Sequence, residues 1–195
     1  MLQVWPGSLI VCLGTGPSLT WSDVTRVYGL RVIAINNAYQ LAPWADVLYA
    51  CDAKWWRWHQ GARGFRGRKY TLAPGVKEYP EVEALTNTGT TGLETDPRGL
   101  RTGHNSGYQA INLAVHLGAK TIVLLGYDMQ GDQQGDHYFG RHPDGSKPPF
   151  TRCLTAFSTL VEPLAALGVR VINCTRQTAL TCFPREVLDQ VLPCV

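Results

Sequence analysis

One pattern recurs along this chain: a short, unbroken run of aliphatic residues, a polar or glycine-rich exit, then a stretch with helical spacing. Aliphatic runs without polar alternation mark strands buried on both faces. On that criterion residues 9–13, 30–35, 44–51, 121–126 and 169–172 are predicted strands, with 69–72 as a further short one. Residues 21–28 read as a short helix. Between the later strands Ala110, Ile111, Ala114, Val115 and Leu117 recur at helical spacing, with Asn105 or Ser106 as N-cap and Gly118 closing the C-terminus. A helix over 152–167 is interrupted by Pro163, and Pro184 opens a short closing helix over 185–192.

Residues 74–103 show no periodicity and read as an irregular loop region, and 129–150 as a polar, lid-like loop. No repeat or linker divides the chain. Repeated strand, polar exit and helix argue for the α/β class: a single doubly wound, Rossmann-like domain over 1–195, with a mainly parallel sheet and helices on both faces.

Composition narrows the function classes. Of 195 residues 45% are hydrophobic and 17% charged, which excludes a disordered chain. A net charge of +3 suits a small anionic ligand and makes nucleic acid an improbable partner. No membrane span or signal peptide is evident, so a cytoplasmic location in a bacterial or phage-infected cell is expected. The six cysteines have no Cys-x-x-Cys spacing and read as reduced, buried thiols.

The chemistry concentrates at the strand exits. The first strand ends in Gly14-Thr15-Gly16-Pro17-Ser18, where two glycines permit tight bends and Pro17 suits a helix start. Thr15 or Ser18 offers a capping hydroxyl. Converging amides there would hold a phosphate, whereas the plainer alternative is a tight strand-to-helix turn; a third glycine of the dinucleotide pattern is replaced by Leu19. Asn36 and Asp52 end the second and third strands, placed for a ribose or base edge or simply closing turns. Asn105, Ser106 and Gly107 make a second potential anion site, and Asp128 follows the 121–126 strand. The ligand is expected where that strand neighbours the first.

Acids and histidines crowd the lid-like loop: Asp128, Asp132, Asp136, His137, His142 and Asp144, with Tyr138 and Phe139 folding it back over the sheet. His116, near a helix C-terminus, reads as dipole-stabilised or solvated. The basic run Arg63, Arg66, Arg68 and Lys69 is a solvated loop or an anion-steering rim. Trp55, Trp56 and Trp58 cannot all face the core from one helix, so at least one lines a cleft or a subunit contact, which leaves room for a homo-oligomer.

Gly14-Thr15-Gly16-Pro17-Ser18-Leu19, Asn36, and the run from Asn105-Ser106-Gly107 to Gly126-Tyr127-Asp128 together resemble the bacterial family 42 sialyltransferases and the related pterin diphosphokinase-like proteins. Short members of this group occur in tailed-phage and prophage genomes. The resemblance covers roughly residues 8–52 and 104–145 and the strand ending at Asn173. It implies a nucleotide donor over the first turn. Thr15 stands where the sialyltransferases carry Asn, and Asp52 stands for a further Asn. The general-base His of a His-Tyr-x-Gly-His run corresponds to His142 in His137-Tyr138-Phe139-Gly140-Arg141-His142, displaced by one residue with Arg141 in its place.

The expected function is a nucleotide-dependent transferase, moving a glycosyl group from a nucleotide sugar or a diphosphate from a nucleoside triphosphate to a small hydroxyl acceptor. Gly14–Ser18 would hold phosphate, and Asn36 and Asp52 the ribose or base. His142 or His137 would take the acceptor proton, and Arg141 would offset leaving-group charge. Asp128 would hold Mg²⁺ if the donor is a triphosphate; no tightly bound cofactor is expected. Two further readings stand beside it: a nucleotide-binding module of phage origin without chemistry, and a metal-dependent hydrolase built on Asp128, Asp132, His137 and His142.

Overall fold

The computed structural model describes residues 4–72, 76–141 and 145–192. Strand β1 (Ser8–Leu13) leads through α1 (Trp21–Arg26) to β2 (Arg31–Ile35). Next come β3 (Val47–Tyr49), α2 (Ala53–Trp58), β4 (Arg68–Thr71) and β5 (Val82–Ala84). After β6 (Thr86–Gly89) and β7 (Gly99–Arg101), α3 (Ser106–Leu117) feeds β8 (Ala119–Leu125). The chain closes with α4 (Phe150–Ser158), α5 (Val161–Ala166), β9 (Arg170–Asn173) and α6 (Leu188–Val191). Among the described residues the main sheet is seven-stranded, ordered β5-β4-β3-β2-β1-β8-β9, and its pairings are parallel.

A parallel sheet must be covered on both faces, and the aliphatic runs supply both. In β1, Ile10 and Cys12 pack on the side of α3, α4 and α5, while Val11 and Leu13 pack with Val24 of α1, Trp55 and Trp56 of α2 and Leu188 of α6. The doubly wound α/β class expected from the sequence is the observed one.

Several local expectations change. Helix α1 starts at Trp21, as the 21–28 reading has it, but it ends at Arg26 and is capped by Thr20, in a reciprocal capping box with Asp23. Thr15 and Ser18 therefore cap nothing, and Pro17 lies in a turn ahead of the helix. The third strand is short, and the 74–103 region contains β5 on the sheet edge and the separate parallel pair β6–β7. Pro163 falls in the first turn of α5, where a missing N–H is tolerated, so the helix breaks before it. Only Leu188–Val191 of the closing segment is helical, since Arg185 bridges to Asn173 at the sheet edge. Trp55 and Trp56 are buried and Trp58 is exposed. Lys69 is buried rather than solvated, its ammonium donating to the Gly61 carbonyl at 2.9 Å. Cys12, Cys51, Cys153, Cys174 and Cys182 are free thiols, and burial pushes Cys12 up to about 12. Cys194 lies outside the described residues.

His116 is neither solvated nor at a bare helix end: it is 1% exposed, with Nε2 2.9 Å from the Gly99 carbonyl, to which it must donate. Burial lowers its pKa, against the upward pull of that carbonyl and of Glu94 and Asp96. A histidine held neutral contributes stability that is complete above its unfolded value of about 6.5 and is lost as pH falls through the lower folded value. Melting temperature should therefore drop on acidification from pH 7 toward 5, and His116→Gln should flatten that slope. His59, lowered by burial as well, leaves a residual slope of the same sign in the variant.

Candidate functional site

Strand order dictates where a ligand belongs. From β1 the chain winds one way through β2, β3, β4 and β5, then returns on the other side as β8 and β9. The carboxyl ends of β1 and β8 thus flank a topological switch point, where open α/β sheets leave a crevice. A cavity of about 240 Å³ lies there. Of the residues singled out from sequence, Gly14, Thr15, Gly16, Asn36, Asp52, Asn105, Ser106, Gly107, Asp128 and His137 line it. Pro17, Ser18 and the exposed Arg141 do not, and His142 lies outside the described residues.

The Gly14–Ser18 turn is built differently from a phosphate cradle. Gly14 N donates to Leu125 O at 2.7 Å and Gly16 N to Gly126 O at 2.8 Å, extending the β1–β8 pairing beyond the strands. Ser18 N donates to Asp128 Oδ2 at 2.8 Å. Three amides expected to face a phosphate are thus engaged by the protein itself, and only Thr15 N has no acceptor among the described residues. The glycines serve close approach: a Cβ on Gly14 would sit 2.5 Å from Gly126 O, and one on Gly16 would collide with Asp128 Oδ1. Sequence alone cannot separate these two uses of a glycine pair, since both need a missing Cβ.

Asp128 is 2% exposed, with Oδ2 on Ser18 N and Oδ1 enclosed without a hydrogen-bond partner. Burial raises its pKa, opposed by the hydrogen bonds from Ser18. A magnesium ion does not fit these residues: one carboxylate oxygen is engaged, the other is shut against Gly16, and no three His, Cys, Asp or Glu side chains cluster among the described residues. Asp132 is a turn former, accepting from Gln134 N and Gly135 N, so the metal-hydrolase constellation does not assemble from its described members.

The other wall is formed by α3 and the lid-like loop. Asn105 caps α3, its side-chain oxygen accepting from Gly107 N at 2.7 Å and Tyr108 N at 3.2 Å, while the Ser106 hydroxyl has no hydrogen-bond partner among the described residues. Across from it the loop is stitched to the first turn. Tyr138 N donates to Thr15 O at 2.9 Å, and its hydroxyl donates to Asn37 O at 2.7 Å. His137 Nδ1 lies 2.9 Å from Thr15 Oγ1, and its ring stacks on Phe139 at 4.9 Å. Asp52 is exposed at the α2 N-cap with no side-chain cap bond.

Asn36, His104 and Met129 adopt left-handed backbones, with φ of 48°, 56° and 52°, and all three line the cavity. Asn tolerates that conformation; for His and Met it costs of order 1 kcal/mol each. Strain gathered around one crevice is a feature of ligand sites.

A search of protein-family models and one of curated proteins each finds no match to the chain. Among solved structures, a MAf glycosyltransferase from Magnetospirillum magneticum AMB-1 superposes with a TM-score of 0.67 at 16% identity, over 96% of this chain. The two share a fold. This chain spans 34% of that one's length, so the match concerns one part of a longer protein. Among the described residues no helix is long and apolar enough to cross a membrane.

Among the wall residues that sequence reading did not assign to the site are His104, Met129, Asp136 and Lys147. Backbone strain at the first two has no sequence signature in His or Met. Lys147, set between Ser146 and Pro148-Pro149, carries one: a cation on a stiffened loop after the acid-rich run.

Proposed function

We propose that this chain is a nucleotide-dependent transferase acting by glycosyl transfer from a nucleotide sugar to a small hydroxyl acceptor. The observation that carries this reading is the strained crevice at the β1–β8 switch point, bordered by Asn36, His137, the α3 N-terminus and Lys147. The fold shared with a glycosyltransferase agrees with it. Asn36 and Asp52, on the β2 and β3 side, take the ribose or base. Thr15 N, Ser106 and Lys147 hold the phosphate oxygens, which assigns to Lys147 the charge-offsetting role first expected of Arg141.

His137 accepts the proton of the acceptor hydroxyl as its oxygen bonds the anomeric carbon. The bond from that carbon to the phosphate oxygen breaks, and the nucleotide leaves with the electron pair. The sequence candidate His142 falls outside the described residues and is tested beside His137 below.

A second reading, a nucleotide-binding module without chemistry, is favoured by the engaged amides of Gly14, Gly16 and Ser18. A thermal-shift screen over nucleotides and nucleotide sugars, followed by product analysis with hydroxyl acceptors, separates the two. A ligand at a hundredfold over its Kd adds about 2.7 kcal/mol, or roughly 5–10 °C in Tm for a chain of this size. Lys147→Ala is expected to weaken that ligand about tenfold, the effect of one lost charge-assisted contact. If no nucleotide raises Tm, both readings fail; a shift without turnover leaves the module.

A further inference from the structure

We infer that the chain holds a second ligand site at the amino end of its sheet, a pocket for a small, neutral, largely apolar molecule that donates one hydrogen bond to His116 Nδ1. The inference goes beyond the transferase reading and does not depend on it. The pocket is a cavity of about 260 Å³ whose wall includes Val115, Ala119, Leu167 and Val169 together with His116 and Lys120. Val115 lies in the last turn of α3, Ala119 begins β8, Leu167 caps α5 and Val169 precedes β9. The crevice at the β1–β8 switch point lies at the opposite end of α3 and β8, where Ser106 and Gly126 line it.

One group in this wall lacks the partner that burial demands. Buried polar atoms are almost always hydrogen-bonded, and an exception calls for an explanation. His116 is buried, and its Nε2 lies 2.9 Å from the Gly99 carbonyl. A carbonyl only accepts, so Nε2 carries the proton and Nδ1 of the neutral ring presents a lone pair. Asn112 Nδ2, 3.3 Å from the same Nε2, can only donate and leaves that assignment unchanged. Nδ1 has no hydrogen-bond partner among the described residues and is not enclosed by them.

The rest of the wall sets the character of the ligand. Aliphatic side chains favour an apolar body, and a dry apolar cavity of about 150 Å³ is enough to bind benzene. An anion is disfavoured: the negative charges of Glu94 and Asp96 act on His116, and α3 and α5 both end at this wall with their carbonyl, negative ends. Lys120 is exposed, so water screens its ammonium from a bound carboxylate. No carboxylate stands in the wall, so a cation finds no direct counter-charge there. A neutral molecule with an apolar body and one hydroxyl meets every one of these conditions.

The test is a nuclear magnetic resonance titration of the ¹⁵N-labelled full chain with phenol, with anisole, which has the same ring but no donor, and with benzoate. Phenol is expected to bind saturably in the millimolar range or tighter, about fivefold or more tightly than anisole, the worth of one hydrogen bond, and more tightly than benzoate. It should move the amides of Val115, Ala119 and Val169, and His116 Nδ1 should be unprotonated and respond to phenol but not to anisole. Val169→Phe, which fills the cavity, should weaken phenol about tenfold or more, as one hydrophobic group occupying the place of another. Should that variant not fold, Leu167→Trp at an exposed wall position makes the same comparison. Absence of saturable binding, equal affinity for phenol and anisole, tightest binding of benzoate, a protonated Nδ1 in the neutral ring, or phenol binding untouched by the filling variant each overturns the inference.

Discussion

Replacing Gly16 with alanine is expected to lower the unfolding free energy by about 3 kcal/mol, at the upper end of the cost of overpacking a tight interior site. The added methyl would collide with Asp128 Oδ1, and it would also stand 2.7 Å from Gly126 O, which is backbone and cannot swing aside. Asp128 cannot yield without breaking its 2.8 Å bond from Ser18 N, and it has little room, being 2% exposed. Urea denaturation measures the effect as a shift in midpoint at constant slope. Removing the obstructing carboxylate with Asp128→Ala should recover part of the loss, giving a favourable coupling in the double-mutant cycle. A Gly16→Ala chain within 0.5 kcal/mol of the parent would show that the β1 and β8 exits are not locked together in this way.

His137→Ala should lower kcat by roughly 10²- to 10⁴-fold, the usual contribution of a positioned acid or base. Nucleotide affinity should change less than about threefold, because phosphate and ribose contacts are assigned to other residues. The loop keeps its Tyr138 bonds to Thr15 O and Asn37 O, so a melting curve close to the parent's is the accompanying control. His142→Ala, measured alongside, discriminates the two histidines that the sequence offered. Loss only in His142→Ala would move the proton-transfer role to that residue. Loss in neither removes both from the mechanism, and with them the chemistry proposed for this crevice.

The opposite signs of two buried titrating groups add a check on the site's electrostatics. His116, held neutral, makes the fold lose stability as pH falls below its unfolded value. Asp128 does the reverse: burial raises its pKa, so stability declines as pH rises from the unfolded carboxyl value of about 3.9 through the folded one. Ligand binding that brings a cation near Asp128 would relieve that cost, whereas a phosphate alone would not.

The sequence by itself determined the architecture and the end of the sheet where the site lies. Unbroken aliphatic runs such as Ile10–Leu13 have no polar face to give to water, so they had to become a parallel sheet covered on both sides, and polar exits at Gly14, Asn36, Asp52 and Asp128 followed at its carboxyl edge. Only the tertiary structure decided what those exits do. The 74–103 region had no periodicity to read because its order is supplied from outside. Asn112 of α3 bonds Glu94 N and O, Gln109 bonds Thr102 O, and His116 bonds Gly99 O. Likewise the amides after β1 were assigned to a phosphate until β8 was placed beside them, where Leu125, Gly126 and Asp128 accept those hydrogen bonds. A residue's own chemistry declares which partners it can take; which of them arrives depends on segments more than a hundred residues away brought within 3 Å.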